Sequence, residues 1–192
     1  MRWRCPIQNG RNMQSEQKTW IETTTGVKFS LLEPKSRDVR LWDIAVALSR
    51  IPRYVGHGSH AYSVALHSVY VSLLLEGTGL EREGLMHDAT EAYINDISSP
   101  LKRLINEASK GFLDTVELRI WDAICERFDL CADALQSVKA ADQQAFLAER
   151  RDLGFQVSIP SELHAAKAKI SIYSEVGARD TFLARALQLG IA

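Results

Sequence analysis

His87 and Asp88 stand side by side, with Glu91 a turn further on and Asp96, Pro100 and Lys102 beyond it. An imidazole beside a carboxylate is a ligand pair for a divalent metal, and acids close behind it can move protons. On an α-helix His87 and Glu91 share one side while Asp88 lies about 100° round, so the pair could hold one ion near a helix end that faces other helices. Two more polar residues aim inward. His67 falls on the apolar stripe Val64, Ser68, Val71, Leu74 and Leu75, and Asp142 lies on an apolar side between Val138 and Ala145. A buried carboxylate is costly unless it is paired or bound to metal. One divalent ion held by His67, His87, Asp88 and Asp142 would satisfy all of these groups. Two imidazoles and two carboxylates suit Mn²⁺, Co²⁺, Fe²⁺ or Zn²⁺ better than Mg²⁺.

The segments that must position these residues read mostly as helices. Trp20 to Leu31, rich in β-branched and aromatic residues around Thr25-Gly26, predicts a short hairpin closed by Pro34. Helices are expected over Leu41 to Leu48, Ala61 to Glu76, from Glu81 through the His87-Asp88 motif, Ser99 to about Ala108, Phe112 to Phe128 and Ala134 to about Leu153. The inner stripe of the last of these is Leu135, Val138, Ala141, Asp142, Ala145 and Glu149. Pro160 opens a segment through about Tyr173, and a helix from about Ser174 to Leu189 closes the chain. The expectation is a mostly α domain over residues 19–192 with a small N-terminal β-hairpin. Residues 1–18 are polar and aperiodic and read as a disordered tail, with Met13 as an alternative start.

A chain of 192 residues with 46% apolar residues is long enough to bury a core. Its net charge of −1 gives no field that would recruit a nucleic-acid polymer or an anionic membrane, so cations for a substrate must be placed locally. Apolar runs are too short to span a bilayer, and the basic first residues lack the apolar core of a signal peptide. Cys5, Cys125 and Cys131 are odd in number and lack CxxC spacing, which reads as free thiols in a reducing compartment. The expected location is the cytoplasm.

The pattern His67…His87-Asp88…Asp142 resembles the HD superfamily of metal-dependent phosphohydrolases. The run from His87 through Glu91, Asp96 and Pro100 to Lys102 looks like its 5′-deoxynucleotidase branch and the phage-type dNTP (dATP) triphosphohydrolase relatives. Trp20 to Phe29, Asp43 to Ser49, Arg53 to His57 and Tyr62 to Ser68 are also similar to the triphosphohydrolase-like members, so the likeness covers roughly residues 19 to 153. It implies an HD-domain helical bundle with His67, His87, Asp88 and Asp142 as metal ligands. It also implies Glu91 and Asp96 as catalytic acids and Arg53 and Lys102 on phosphate, with Trp20, Ile21 and Tyr54 available as a wall for base or sugar. The implied substrate is a deoxynucleotide: a dNMP cut to deoxynucleoside and phosphate, or a dNTP cut to deoxynucleoside and triphosphate. Relatives of this kind are commonly homo-oligomers, dimers or rings of six. Leu66 departs from the pattern, since members usually carry Glu or Gln before the first His. His57 and His60, on a loop, are not counted as ligands. Two other readings stay open: an HD hydrolase of a cyclic nucleotide or an alarmone, and a helical nucleotide-binding protein that does no chemistry. The presence of both Glu91 and Asp96 argues against the last.

Overall fold

The Thr-rich stretch near the N-terminus does form a hairpin. Strand β1 (Trp20–Glu22) pairs antiparallel with β2 (Lys28–Ser30), with Ile21 opposite Phe29. The structure, a computed structural model, describes residues 19–192. The expected tail over residues 1–18, the start at Met13 and Cys5 lie outside the described residues. A two-stranded hairpin is marginal alone and must pack on something. Here Thr25 donates from its N–H (2.8 Å) and its hydroxyl (2.7 Å) to the Asp43 carboxylate of the first helix. Phe29 is fully buried and stacks on Tyr93 at 3.8 Å between ring centroids.

Helix α1 (Leu41–Arg50) buries Ile44, Ala45, Val46 and Leu48 and stops before Pro52, which disfavours a helical conformation in the residue preceding it. A tight turn over Arg53–Gly56 follows, in which Tyr54 (φ 57) and Val55 (φ 55) both adopt left-handed backbone conformations. Helix α2 (Val64–Leu74) begins later than the sequence suggests. The Ser63 side chain caps it by accepting from the Leu66 N–H, so Ala61 and Tyr62 belong to the preceding loop. Every residue of α2 from Val64 to Ser72 is buried, so this helix runs through the middle of the protein and touches α1 and three later helices.

The helix expected to carry the motif is broken in two. Helix α3 (Glu81–Met86) ends at His87, and α4 (Glu91–Ile94) restarts three residues after Asp88. Between them the backbone bonds run three residues back, Ala89 to Met86 (2.9 Å) and Glu91 to Asp88 (3.0 Å). That is 3₁₀ winding, in which residues three apart eclipse. Asp88 therefore aligns with Glu91, where a regular helix would have aligned His87 with it.

The remaining helices are α5 (Ser99–Ser109) with Pro100 in its first turn, α6 (Phe112–Phe128), α7 (Leu135–Asp152) and α8 (Glu175–Gln188). Among the described residues there is no helix between Asp152 and Glu175, where Pro160 was expected to open a further segment. Arg151 holds that stretch by donating to the carbonyls of Ala166 (2.9 Å) and Ala168 (3.2 Å). Of the stripe read on α7, Val138, Ala141, Ala145 and Glu149 are buried, while Leu135 is exposed. Helix α8 is fastened to the end of α2 by the buried Arg185, which donates to the Ser72 hydroxyl (3.0 Å) and pairs with Glu76 (2.5 Å). The architecture is mostly α with a small N-terminal hairpin, as expected. No helix among the described residues is long and apolar enough to cross a membrane.

Candidate functional site

His67 comes from the middle of α2, His87 and Asp88 from the break after α3, and Asp142 from α7. Their approach depends on Gly84. A Cβ there would overlap Leu75 Cδ1 at 2.5 Å and crowd the Cα of Ser72 at 3.3 Å, so a larger residue would displace the Leu75 side chain and strain the packing of α3 on α2. Around the meeting point His67 Nε2 lies 3.2 Å from His87 Nε2, 3.1 Å from Asp142 Oδ1 and 3.4 Å from Asp88 Oδ2. His87 Nε2 is 3.2 Å from Asp88 Oδ2. The four expected ligands are therefore together, and atoms of His67, His87 and Asp142 all lie within 4.8 Å of one another.

The other nitrogen of each ring shows what these atoms can do. His87 Nδ1 donates to the Gly84 carbonyl (2.9 Å), and His67 Nδ1 donates to the Glu149 carboxylate (2.6 Å). With both Nδ1 atoms carrying hydrogens, a neutral ring presents a bare Nε2 lone pair. Two such lone pairs and two carboxylate oxygens converge on one point, a donor set that repels itself unless a cation or a proton intervenes. Without a metal, a proton does so. Burial and Arg53 oppose charge on His67, but Glu149 and Asp142 outweigh them and push it up to about 10. Burial likewise works against the charge on Asp88, yet His87, then His67 and Arg53, hold it well below the usual carboxylate range. For Asp142 burial is overcome by the hydrogen bond and charge of His67, which keep it low.

An open cleft of about 890 Å³ begins at this cluster, lined by Asp88, Asp142, Glu91, Asp96, Arg53 and Lys102 among others. One carboxylate oxygen of Glu91 is buried without a hydrogen-bond partner. Burial, reinforced by Asp88 and Asp96, pushes the Glu91 carboxyl up to about 10. Burial also raises Asp96, with Asp88 adding to the effect and Arg53 opposing it. Arg53 donates through Nε to Glu149 (3.0 Å) and brings a terminal nitrogen within 3.5 Å of Asp88. Lys102 reaches the cleft already paired with Glu117, and Asp114 lies 3.7 Å away.

Trp20 and Ile21, expected as a wall for base or sugar, do not line this cleft. Ile21 packs on the core and the Trp20 ring receives Lys28, whose Nζ lies 4.7 Å from the ring centroid. The hairpin supports the site from behind, since Phe29 stacks on the Tyr93 that follows Glu91. Tyr54 does line the cleft, and its apolar neighbour there is Phe146 on α7, 6.1 Å away between ring centroids. Phe146 sits one turn after Asp142 and so shares its face, a spacing that could have revealed it. His57 and His60 are exposed and stand apart from the cluster.

The site residue that sequence reasoning passed over is Glu149. Its place on the inner stripe of α7 is visible in the sequence, and a carboxylate two turns beyond Asp142 on that stripe needs a partner as much as Asp142 does.

No family model matches the chain. The protein YfdR of Escherichia coli is 42% identical over 136 residues, which cover 71% of this chain and 73% of YfdR. The chain belongs to the YfdR family. A protein of Rhodobacter capsulatus is 32% identical over 138 residues, covering 66% of this chain and 68% of its own length. Both relatives are described as uncharacterized proteins, so neither name says what this YfdR-family chain does.

Proposed function

We propose that the protein is a metal-dependent phosphohydrolase of the HD type that acts on deoxynucleotides. It would cut a dNMP to deoxynucleoside and phosphate, or a dNTP to deoxynucleoside and triphosphate. The observation that carries this reading is the convergence of the His67 and His87 Nε2 atoms with Asp88 and Asp142 at the head of a cleft that also holds two acids of raised pKa. The donor set fits a divalent ion such as Mn²⁺, Co²⁺, Fe²⁺ or Zn²⁺, which would supply Lewis acidity toward the phosphoryl oxygen and acidify the attacking water.

The chain's own groups would do the rest. Glu91, aligned with Asp88 by the 3₁₀ turn, would hold that water, and would take its proton once the charge of the bound ion had drawn off the one that burial keeps on the carboxyl. Asp96, whose carboxyl burial raises, would hand a proton to the leaving oxygen. The terminal nitrogens of Arg53 would bind a phosphate, since its Nε is held by Glu149. Lys102 would join them after leaving Glu117. Tyr54 and Phe146 offer apolar surface within the cleft for sugar or base. We place the enzyme in the cytoplasm as a homo-oligomer, a dimer or a hexamer, and light scattering would give the number.

The test is incubation with dNMPs, dNTPs and ribonucleotides in Mn²⁺ or Co²⁺, with phosphate and triphosphate assayed separately. Release from a deoxynucleotide in preference to its ribo counterpart is expected. Release from none of them, with metal content confirmed by elemental analysis, would refute the reading.

A further inference from the structure

Glu149 is fully buried on α7 and accepts three hydrogen bonds. Its Oε1 takes the His67 Nδ1–H at 2.6 Å, and its Oε2 takes the Arg53 Nε–H at 3.0 Å and the Tyr54 hydroxyl at 2.5 Å. A lone carboxylate in that position would be strongly unfavourable, and the three donors are what make it tolerable. The two oxygens serve different parts of the site. One faces a proposed metal ligand, the other a proposed phosphate cation and the turn that carries it.

That turn is under strain. Val55 has φ 55, and a β-branched residue is rarely found in the left-handed region. Tyr54 beside it has φ 57, and its hydroxyl is tied to Glu149 across the fold. The tie from α7 therefore holds the strained turn in place and fixes the direction from which Arg53 enters the cleft.

From this geometry we infer that Glu149 is a positioning residue for two functions at once, fixing the His67 ring with Nε2 free for a metal and aiming Arg53 at a phosphate. The inference rests on the phosphohydrolase reading for the identity of those two roles. A carboxylate behind a ligating imidazole fixes its tautomer and makes it more basic, and losing it typically weakens metal binding about 10- to 100-fold. A glutamine fills the same space but cannot replace the carboxylate. If its oxygen faces His67, its NH₂ confronts the Arg53 Nε–H, and the Tyr54 hydroxyl must turn from donor to acceptor. If it is turned round, the NH₂ confronts His67 Nδ1–H. Aspartate is one methylene shorter and cannot span all three donors.

The test uses E149Q and affinities rather than turnover. In the folded variant, Mn²⁺ is expected to bind at least about tenfold more weakly by calorimetry once each protein's affinity is corrected for the proton it releases, because losing Glu149 also eases proton competition at His67. Inorganic phosphate should bind the Mn²⁺-saturated variant several-fold more weakly than it binds the wild type. Wild-type affinity for both would overturn the inference, and loss of only one would overturn the shared role. A contact that merely stabilised the fold would lower the melting temperature and leave both affinities intact. A second measurement needs no variant: long-range ¹H–¹⁵N spectra of the Zn²⁺-loaded wild type should show His67 protonated at Nδ1, and a bare Nδ1 would overturn the assignment. Failure of the wild type to hydrolyse any nucleotide would sink the proposed activity and leave these affinity results standing.

Discussion

Loading the site with a metal should release a proton, and His67 is its source. In the metal-free protein this ring lies between two carboxylates, Glu149 at Nδ1 (2.6 Å) and Asp142 at Nε2 (3.1 Å), and it titrates at about 10. Near neutral pH it is charged, and a metal can take Nε2 only after that proton leaves. The gap of about three pH units between neutrality and the His67 pKa corresponds to roughly 4 kcal/mol at ~1.4 kcal/mol per unit. Metal affinity near pH 7 should thus lie about a thousandfold below that of the deprotonated site and rise about tenfold per pH unit. Stability follows the opposite trend. His67 is raised above its ordinary value of 6.5, so its charge stabilises the metal-free fold fully below about 6.5 and the benefit disappears as pH rises through about 10. Calorimetric titration of Zn²⁺ or Mn²⁺ in two buffers of different ionisation enthalpy counts the protons, and about one per ion is expected. Stoichiometric binding with no proton release and an affinity independent of pH would refute the argument.

Three further outcomes follow from particular contacts. Glu91→Gln should keep Mn²⁺ binding while losing at least about 100-fold in turnover. Because the Glu91 carboxyl is raised from 4.5 to about 10, its penalty appears above about pH 4.5 and grows toward pH 10, so the variant should be more stable near pH 7 by about 3 kcal/mol in denaturant titration. Val55→Gly relieves a left-handed valine that is 66% exposed and should raise stability by about 1 kcal/mol, read as a higher melting temperature. Glu117→Gln removes the nearer of the two carboxylates paired with Lys102, leaving Asp114, and should lower KM about threefold, the release of roughly one part-exposed pair. An unchanged KM would remove Lys102 from the phosphate site.

Much of the helical layout was legible because the residues follow a single period. Phe112 to Phe128 alternates buried and exposed positions at helical spacing between two left-handed residues, Gly111 and Asp129, and its ends fall where the pattern puts them. His67 and Asp142 were legible as polar residues on apolar stripes. The motif itself was harder. Nothing in Gly84 to Asp96 announces that the chain winds to 3₁₀ after Met86, since neither Gly nor Pro interrupts the residues from Leu85 to Ile94. Glu149 was visible as a position, but its role depends on Arg53 and Tyr54, which lie far away in sequence and are brought close only by the fold. The position of Trp20 and Ile21 outside the cleft lining is likewise a matter of how the hairpin packs, which their residue types alone do not tell.

The enclosure of α2 limits how such a site can be altered. Every position from Val64 to Ser72 is packed against a neighbour, so a substitution beside His67 would be felt first as a folding defect. Asp142, Gln143 and Phe146 on α7 are only part-buried and border the cleft, as does the Tyr54 turn. A mutant library intended to change metal or substrate preference should therefore be concentrated on α7 and that turn. Natural divergence within the family would be expected to accumulate along the same exposed edge.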